Sequence, residues 1–285
     1  MKEREETFTE EFMPIFHTIV FEIKKQSKKF YFFLAIIILI AYLLGVLLVQ
    51  IPGNLLSDTY TQFISGGLSF ISFLTLFAAC LFFSGIICSE FYDRTGFIVF
   101  PKIKKYRLIL GKYLGNLILV VSLVAIYYFL LCTLGVLYYG PALTIRVFYS
   151  FGFAVLYVIM LSSFVTLFSS FMKNVNLTII ITLVVLLIGF NIADSIVTLF
   201  LRDKLEPLYS LTYLGNLITS ILRNPFPNPR YTEFSFGGNG PGGLGGRFVI
   251  GTWITPSIEA GITMFIVYIV AFFILAAYLF KRRQL

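Results

Sequence analysis

The residues in this chain that could do chemistry are few, and none of them meets a chemical partner along the sequence. Gly67-Leu68-Ser69 has the outline of a Gly-x-Ser nucleophile. A serine nucleophile needs a general base within hydrogen-bond reach. The single histidine, His17, lies ahead of the first long apolar run, far from Ser69 in sequence. One histidine also rules out a His-Glu-x-x-His zinc site. Asp194 is the one clear acid inside an apolar run, and a lone acid makes no aspartyl dyad; pairing with Asn191 or reaching the interface is its expected role. Gly238-x-Gly240-x-x-Gly243 has the spacing of a dinucleotide fingerprint, but it lacks the preceding strand and following helix that phosphate binding requires. Gly111-Lys112 is followed by Tyr113 and has no earlier glycine of a P-loop, so the chain has no Walker-type ATP site of its own. Cys80, Cys88 and Cys132 fall in or at the end of apolar runs without a CxxC pair, and read as small hydrophobes. No catalytic residue, metal site or cofactor is expected in this chain.

The elements that hold these residues are membrane spans. Apolar residues make up 58% of the chain and charged residues 13%, against about a quarter charged in a soluble domain. Six runs reach the roughly 20 apolar residues that cross a bilayer: Phe30–Gln50, Phe63–Cys88, Leu108–Tyr139, Val147–Met172, Leu177–Phe200 and Ile258–Phe280. The third is too long to lie wholly in lipid, so its first turns are expected to project from it. The expected fold is an all-α integral membrane protein forming one transmembrane domain over residues 1–285.

Lys and Arg set the orientation. With both termini in the cytoplasm, the inner segments hold Lys24, Lys25, Lys28, Lys29, the basic cluster between spans two and three, Lys173, and Lys281 to Arg283. On the outer side all basic residues but Arg146 lie in one long loop, which positive-inside bias does not count. The expected location is the cell (plasma) membrane. The net charge of +8 needs no nucleic acid to explain it.

Three segments outside the spans have patterns of their own. In residues 10–29, Phe12, Ile15, Phe16, Ile19 and Ile23 share one helical face and Thr18, Glu22, Lys24 and Lys25 point elsewhere. Pro14 suits a first turn, so this segment reads as a helix lying in the membrane interface. In the 201–257 loop, Pro207 to Arg223 predicts a short amphipathic helix with Leu208, Leu211, Leu214, Leu217 and Ile218 inward. The following Pro- and Gly-rich run to Phe248 is expected to be irregular, with Trp253 as an interfacial aromatic. The third segment, Ser89 to Lys112, gathers Arg94, Lys102, Lys104, Lys105, Arg107 and Lys112 after Glu90 and Asp93. Its charges are interrupted by Phe97, Ile98, Phe100 and Ile103, an apolar centre with a charged rim that suits docking to another protein. Topology enforcement and attraction to anionic lipid would use the same lysines.

This arrangement resembles the permease subunits of ABC-2 type ABC exporters. The matching positions are Glu90, Asp93-Arg94, Thr95-Gly96, Phe97 to Phe100, Pro101, Lys104-Lys105 and Leu110-Gly111-Lys112. Thr95-Gly96 is reversed relative to the usual order, and Pro101 comes about one residue early. The resemblance in layout spans nearly the whole chain, and the motif spans only Ser89 to Lys112. It implies that residues 89–107 form a coupling loop with a short helix that docks on a separate P-loop ATPase, through Glu90, Asp93, Arg94, Phe97, Phe100, Pro101, Ile103, Lys104 and Lys105. ATP and Mg would bind that partner. It also implies a dimer of permeases, with itself or a paralogue, whose second and fifth spans line the path. Small residues recur there in two stripes: Ser65, Ser69, Ser72 and Ala79, and Thr178, Thr182 and Gly189, with Asn191 beyond. Such stripes let helices approach closely. A secondary transporter or channel without an ATPase, or a membrane scaffold or immunity factor, are the alternatives; the first of these expects buried carboxylates or broken helices near the midplane.

Overall fold

The computed structural model describes residues 2–50, 59–92, 105–140, 144–201, 206–236 and 248–282. Among them, six helical stretches are long and apolar enough to cross a membrane: Met13–Val46, Tyr60–Glu90, Tyr106–Tyr139, Arg146–Phe171, Val175–Val197 and Ile258–Arg282. The protein is a multi-pass, predominantly helical membrane protein, with one small β-hairpin.

The first span is not preceded by a separate helix. α1 runs unbroken from Lys2 to Gln50 and carries Pro14 inside it, not in its first turn. Its inward stripe also differs from the expected apolar face. Thr18, Glu22 and Gln26 are buried, followed by Phe33, Ile37 and Ala41, whereas Met13, Phe16 and Phe21 are exposed. The polar residues turn inward where Gly111 and Gly115 of the third span leave room for them, and the large apolar ones turn outward.

The second span is divided into α2 (Tyr60–Leu68), α3 (Ile71–Phe83) and α4 (Gly85–Tyr92). Gly66, Gly67 and Ser69 hold a helix weakly, and side chains from elsewhere take up the backbone groups at the joints. The Tyr127 hydroxyl donates to the Gly67 carbonyl at 2.5 Å. Past Ser84, Ser169 Oγ accepts from the backbone N–H groups of Ile87 and Cys88, each at 3.1 Å. α3 is the centre of the core, with Ile71, Ala78, Ala79, Cys80, Phe82 and Phe83 fully buried.

α5 (Lys105–Tyr139) and α6 (Arg146–Phe171) form the third and fourth spans. Buried hydroxyls link them: Tyr113 to Ser162 at 2.6 Å and Tyr128 to Ser150 at 2.8 Å. The fifth span is α7 (Val175–Val184), a π-helical turn at Val185–Gly189, and α8 (Phe190–Leu201).

On the side away from Lys112, α9 (Leu211–Gly215) and α10 (Leu217–Ser220) form the expected amphipathic element, broken at Asn216. Leu211, Leu214, Leu217 and Ile218 are buried and Leu208 is half-buried. The element seats against the spans: Gly215 lies under the Tyr157 ring, Ser150 donates to the Ile218 carbonyl at 2.6 Å, and Leu217 covers Gly261 on α11 (Ile258–Arg282). The segment expected to be irregular instead holds a hairpin. β1 (Tyr231–Phe236) pairs antiparallel with β2 (Phe248–Trp253), Tyr231 opposite Trp253 and Phe236 opposite Phe248. The two runs are rich in aromatic and β-branched residues, which favour strands. Gly238, Gly240 and Gly243 lie between them, outside the described residues. At the base of the hairpin Trp253 packs tilted against Tyr231 and lies under Arg230, whose guanidinium reaches Glu206 at 2.8 Å.

Candidate coupling platform

The connection between the second and third spans opens on α4 and closes on α5, and its two shores are joined. Glu90, in the last turns of α4, forms an ion pair with Lys112, two turns into α5. Glu90 is 7% exposed and Lys112 4%, so the pair sits in a dry setting where each charge depends on the other. The two helices that flank the connection are thereby held together. Asp93, Arg94, Phe97, Phe100, Pro101, Ile103 and Lys104 lie outside the described residues; Lys105 opens α5.

Glycine spacing on α5 brings α1 against the same base. A Cβ at Gly111 would stand 2.7 Å from the Thr18 Cβ, and one at Gly115 would stand 3.2 Å from the Glu22 Cβ. Gly111-x-x-x-Gly115 is the small-residue spacing that permits close helix contact in membranes. The Gly111-Lys112 pair of the sequence motif thus has two structural tasks, one residue receiving α1 and the next holding α4.

The contact is polar as well as close. Glu22, 3% exposed, accepts from Gln26 Nε2 at 3.0 Å, and its other carboxylate oxygen is buried with no hydrogen-bond partner among the described residues. Asn116, one turn past Lys112, is fully buried, and both its amide atoms are without partners among the described residues. Lys29 Nζ donates to the Leu81 carbonyl at 2.9 Å and ties α1 to α3. Two carboxylates and two ammonium groups therefore sit inside one helical junction. This arrangement can transmit force between helices. It lacks the nucleophile–base pairing of a catalytic site, and among the described residues no three His, Cys, Asp or Glu side chains gather to hold a metal.

The structure places the expected path residues on different surfaces. Ser69 is exposed and Ser65 and Ser72 are half-exposed, along the outer face of the second span; Ala79 is in the core. Thr178 and Thr182 are fully buried, with Thr182 reaching Cys80 of α3, whereas Gly189 and Asn191 are exposed. Asp194 does not pair with Asn191. It accepts from Ser210 Oγ at 3.0 Å, and the Asn191 amide donates to the Leu187 carbonyl one turn back on its own helix. Burial, and the Asp194 carboxylate beside it, push the Tyr209 hydroxyl up to about 12.

Sequence reasoning singled out Glu90, Gly111 and Lys112 but missed Gln26, Lys29, Gly115 and Asn116. The Gly111–Gly115 spacing was the available signal. No known protein-family model matches the chain, and no curated protein matches it.

Proposed function

We propose that this chain is the permease subunit of an ATP-driven exporter of the ABC-2 type, with both termini in the cytoplasm, working as a pair of permeases with two separate ATPase subunits. The observation that carries this reading is the buried Glu90–Lys112 pair. It fixes both ends of a basic, aromatic-bearing loop to a junction of α1, α4 and α5. A loop that receives movement from a motor protein must be stiffly joined to the spans, or the movement is lost in the loop. ATP and Mg belong to the partner in this reading, and the permease supplies the docking loop and the path. The second span, with its exposed serines, and the fifth line that path at the permease dimer.

The test is purification of the full chain with a P-loop ATPase encoded beside it. The complex is expected to hold together in the wild type and to lose the ATPase when Phe97, Phe100 and Ile103 are all truncated to alanine, because apolar anchors dominate most interfaces. Retention of the ATPase by a folded triple variant refutes the docking assignment.

A gradient-driven transporter is the second reading. The divided second span and the buried, partly unpartnered Glu22 and Asn116 favour it. Transport by the chain alone in vesicles, driven by a proton or sodium gradient, would establish that reading over the first.

A further inference from the structure

On the hairpin side, the start of α2, the start of α6 and the turn after α10 enclose a cavity of about 650 Å³ lined by Arg146, Arg223, Thr59, Gln62, Ser65 and Thr144 among others. We propose that this cavity holds the phosphate-bearing headgroup of an anionic phospholipid.

Charge is the first argument. Two arginines line the cavity, and no acidic residue does among the described residues. Among the described residues, the ion pairs are Glu90–Lys112 and Glu206–Arg230, so neither Arg146 nor Arg223 has a carboxylate partner there. The hydroxyls of Thr59 and Thr61 are further donors on the lining. Preorganisation is the second argument. Arg146 donates to the Arg223 carbonyl and, at 2.9 Å, to Asn224 Oδ1. These bonds hold the guanidinium at the cavity wall, and its remaining N–H donors are left for a phosphate.

Position separates a lipid from a free anion. Arg146 is the first residue of its span and Tyr60 the first of the span opposite, so the cavity lies at the depth of lipid headgroups. Two apolar grooves lie farther along α6. Phe148, two residues after Arg146, stands between them. One, about 560 Å³, runs between α5 and α6 past Cys132 and Val136; the other, about 520 Å³, runs past Leu156 and Ile262. A diacyl lipid with its phosphate at this level meets apolar surface farther along α6 for its chains. A soluble phosphate uses neither groove.

The experiment is native mass spectrometry of the full chain, purified in detergent, with phosphatidylglycerol or phosphatidylcholine of identical acyl chains added. The wild type is expected to retain phosphatidylglycerol preferentially. Arg223→Gln leaves the Arg146 bonds to the turn in place, since they use the residue 223 carbonyl and Asn224, and is expected to weaken that retention about tenfold, the loss of one charge-assisted hydrogen bond. Retention of phosphatidylcholine is expected to stay the same. Equal retention of the two lipids by the wild type, or an unchanged preference in folded Arg223→Gln, overturns the proposal. Displacement of phosphatidylglycerol by millimolar inorganic phosphate also overturns it, in favour of a soluble-anion site.

Discussion

Removing one partner of the Glu90–Lys112 pair is expected to destabilise the protein far more than removing both. With the two residues 7% and 4% exposed, the allowance for solvent screening that makes surface pairs nearly worthless does not apply. Glu90→Gln takes the carboxylate from the buried Lys112 ammonium, and Lys112→Met takes that ammonium from the Glu90 carboxylate. Each single change is expected to cost about 3–5 kcal/mol. The double variant Glu90→Met with Lys112→Met strands no charge and keeps similar volume, so it is expected to fall within about 1–2 kcal/mol of the wild type. The coupling between the two positions is then at least about 4 kcal/mol, above the usual range for residues in contact. Unfolding titrations in mixed micelles with rising dodecyl sulfate supply all four corners of the cycle. Single variants that each cost less than about 1 kcal/mol, and whose costs add in the double, would mean that the pair is solvated. The connection would then not be clamped, and the argument from stiffness to coupling would fail with it.

Gly111→Ala places a methyl group 2.7 Å from the Thr18 Cβ and is expected to cost about 1–3 kcal/mol in the same titration, partly recovered by adding Thr18→Gly; a neutral Gly111→Ala refutes the close α1–α5 contact. Single cysteines at Lys104 and Asn239, in a background lacking Cys80, Cys88 and Cys132, are expected to label from opposite faces of the membrane, and labelling from one face rejects the six-span topology. Ser69→Trp adds its bulk on an exposed face, so the variant is expected to fold and keep its partners while transport stops; normal transport removes Ser69 from the path. Arg230→Ala loses the 2.8 Å contact to Glu206 and the stacking on Trp253, about 1 kcal/mol together. Amide exchange in β1 and β2 is then expected to quicken about fivefold, and unchanged exchange refutes the brace.

The spans were legible because hydropathy over a long run does not depend on partners. The same holds for Leu211, Leu214, Leu217 and Ile218, whose spacing named their inward face before any neighbour was known. The polar stripe of α1 was not legible. Thr18 and Glu22 read as outward by the rule that polar groups avoid the interior, and Gly111 and Gly115, far along the chain, make room for them. The Glu90–Lys112 pair was half visible: both residues stood in the basic stretch, but their meeting depends on α4 and α5 lying side by side. The hairpin was missed for a different reason. The glycines of its tip dominated the composition of the segment and masked two six-residue runs of strand-forming residues on either side, a pattern that itself predicts a hairpin.

The close meeting of α1 with α5 also governs how the protein is made. Thr18 and Glu22 leave the ribosome about 90 residues before Gly111 and Gly115, and at ~5–20 residues per second the first helix waits roughly 5–20 s for its partner. Throughout that interval the carboxylate of Glu22 and the amide of Gln26 have no helix against them and stay in water, where each is cheaply solvated. They are buried only when the third span arrives and the two glycines close over α1. Burial of this stripe is thus timed by the synthesis of α5, and a chain stopped after the second span would leave it solvated.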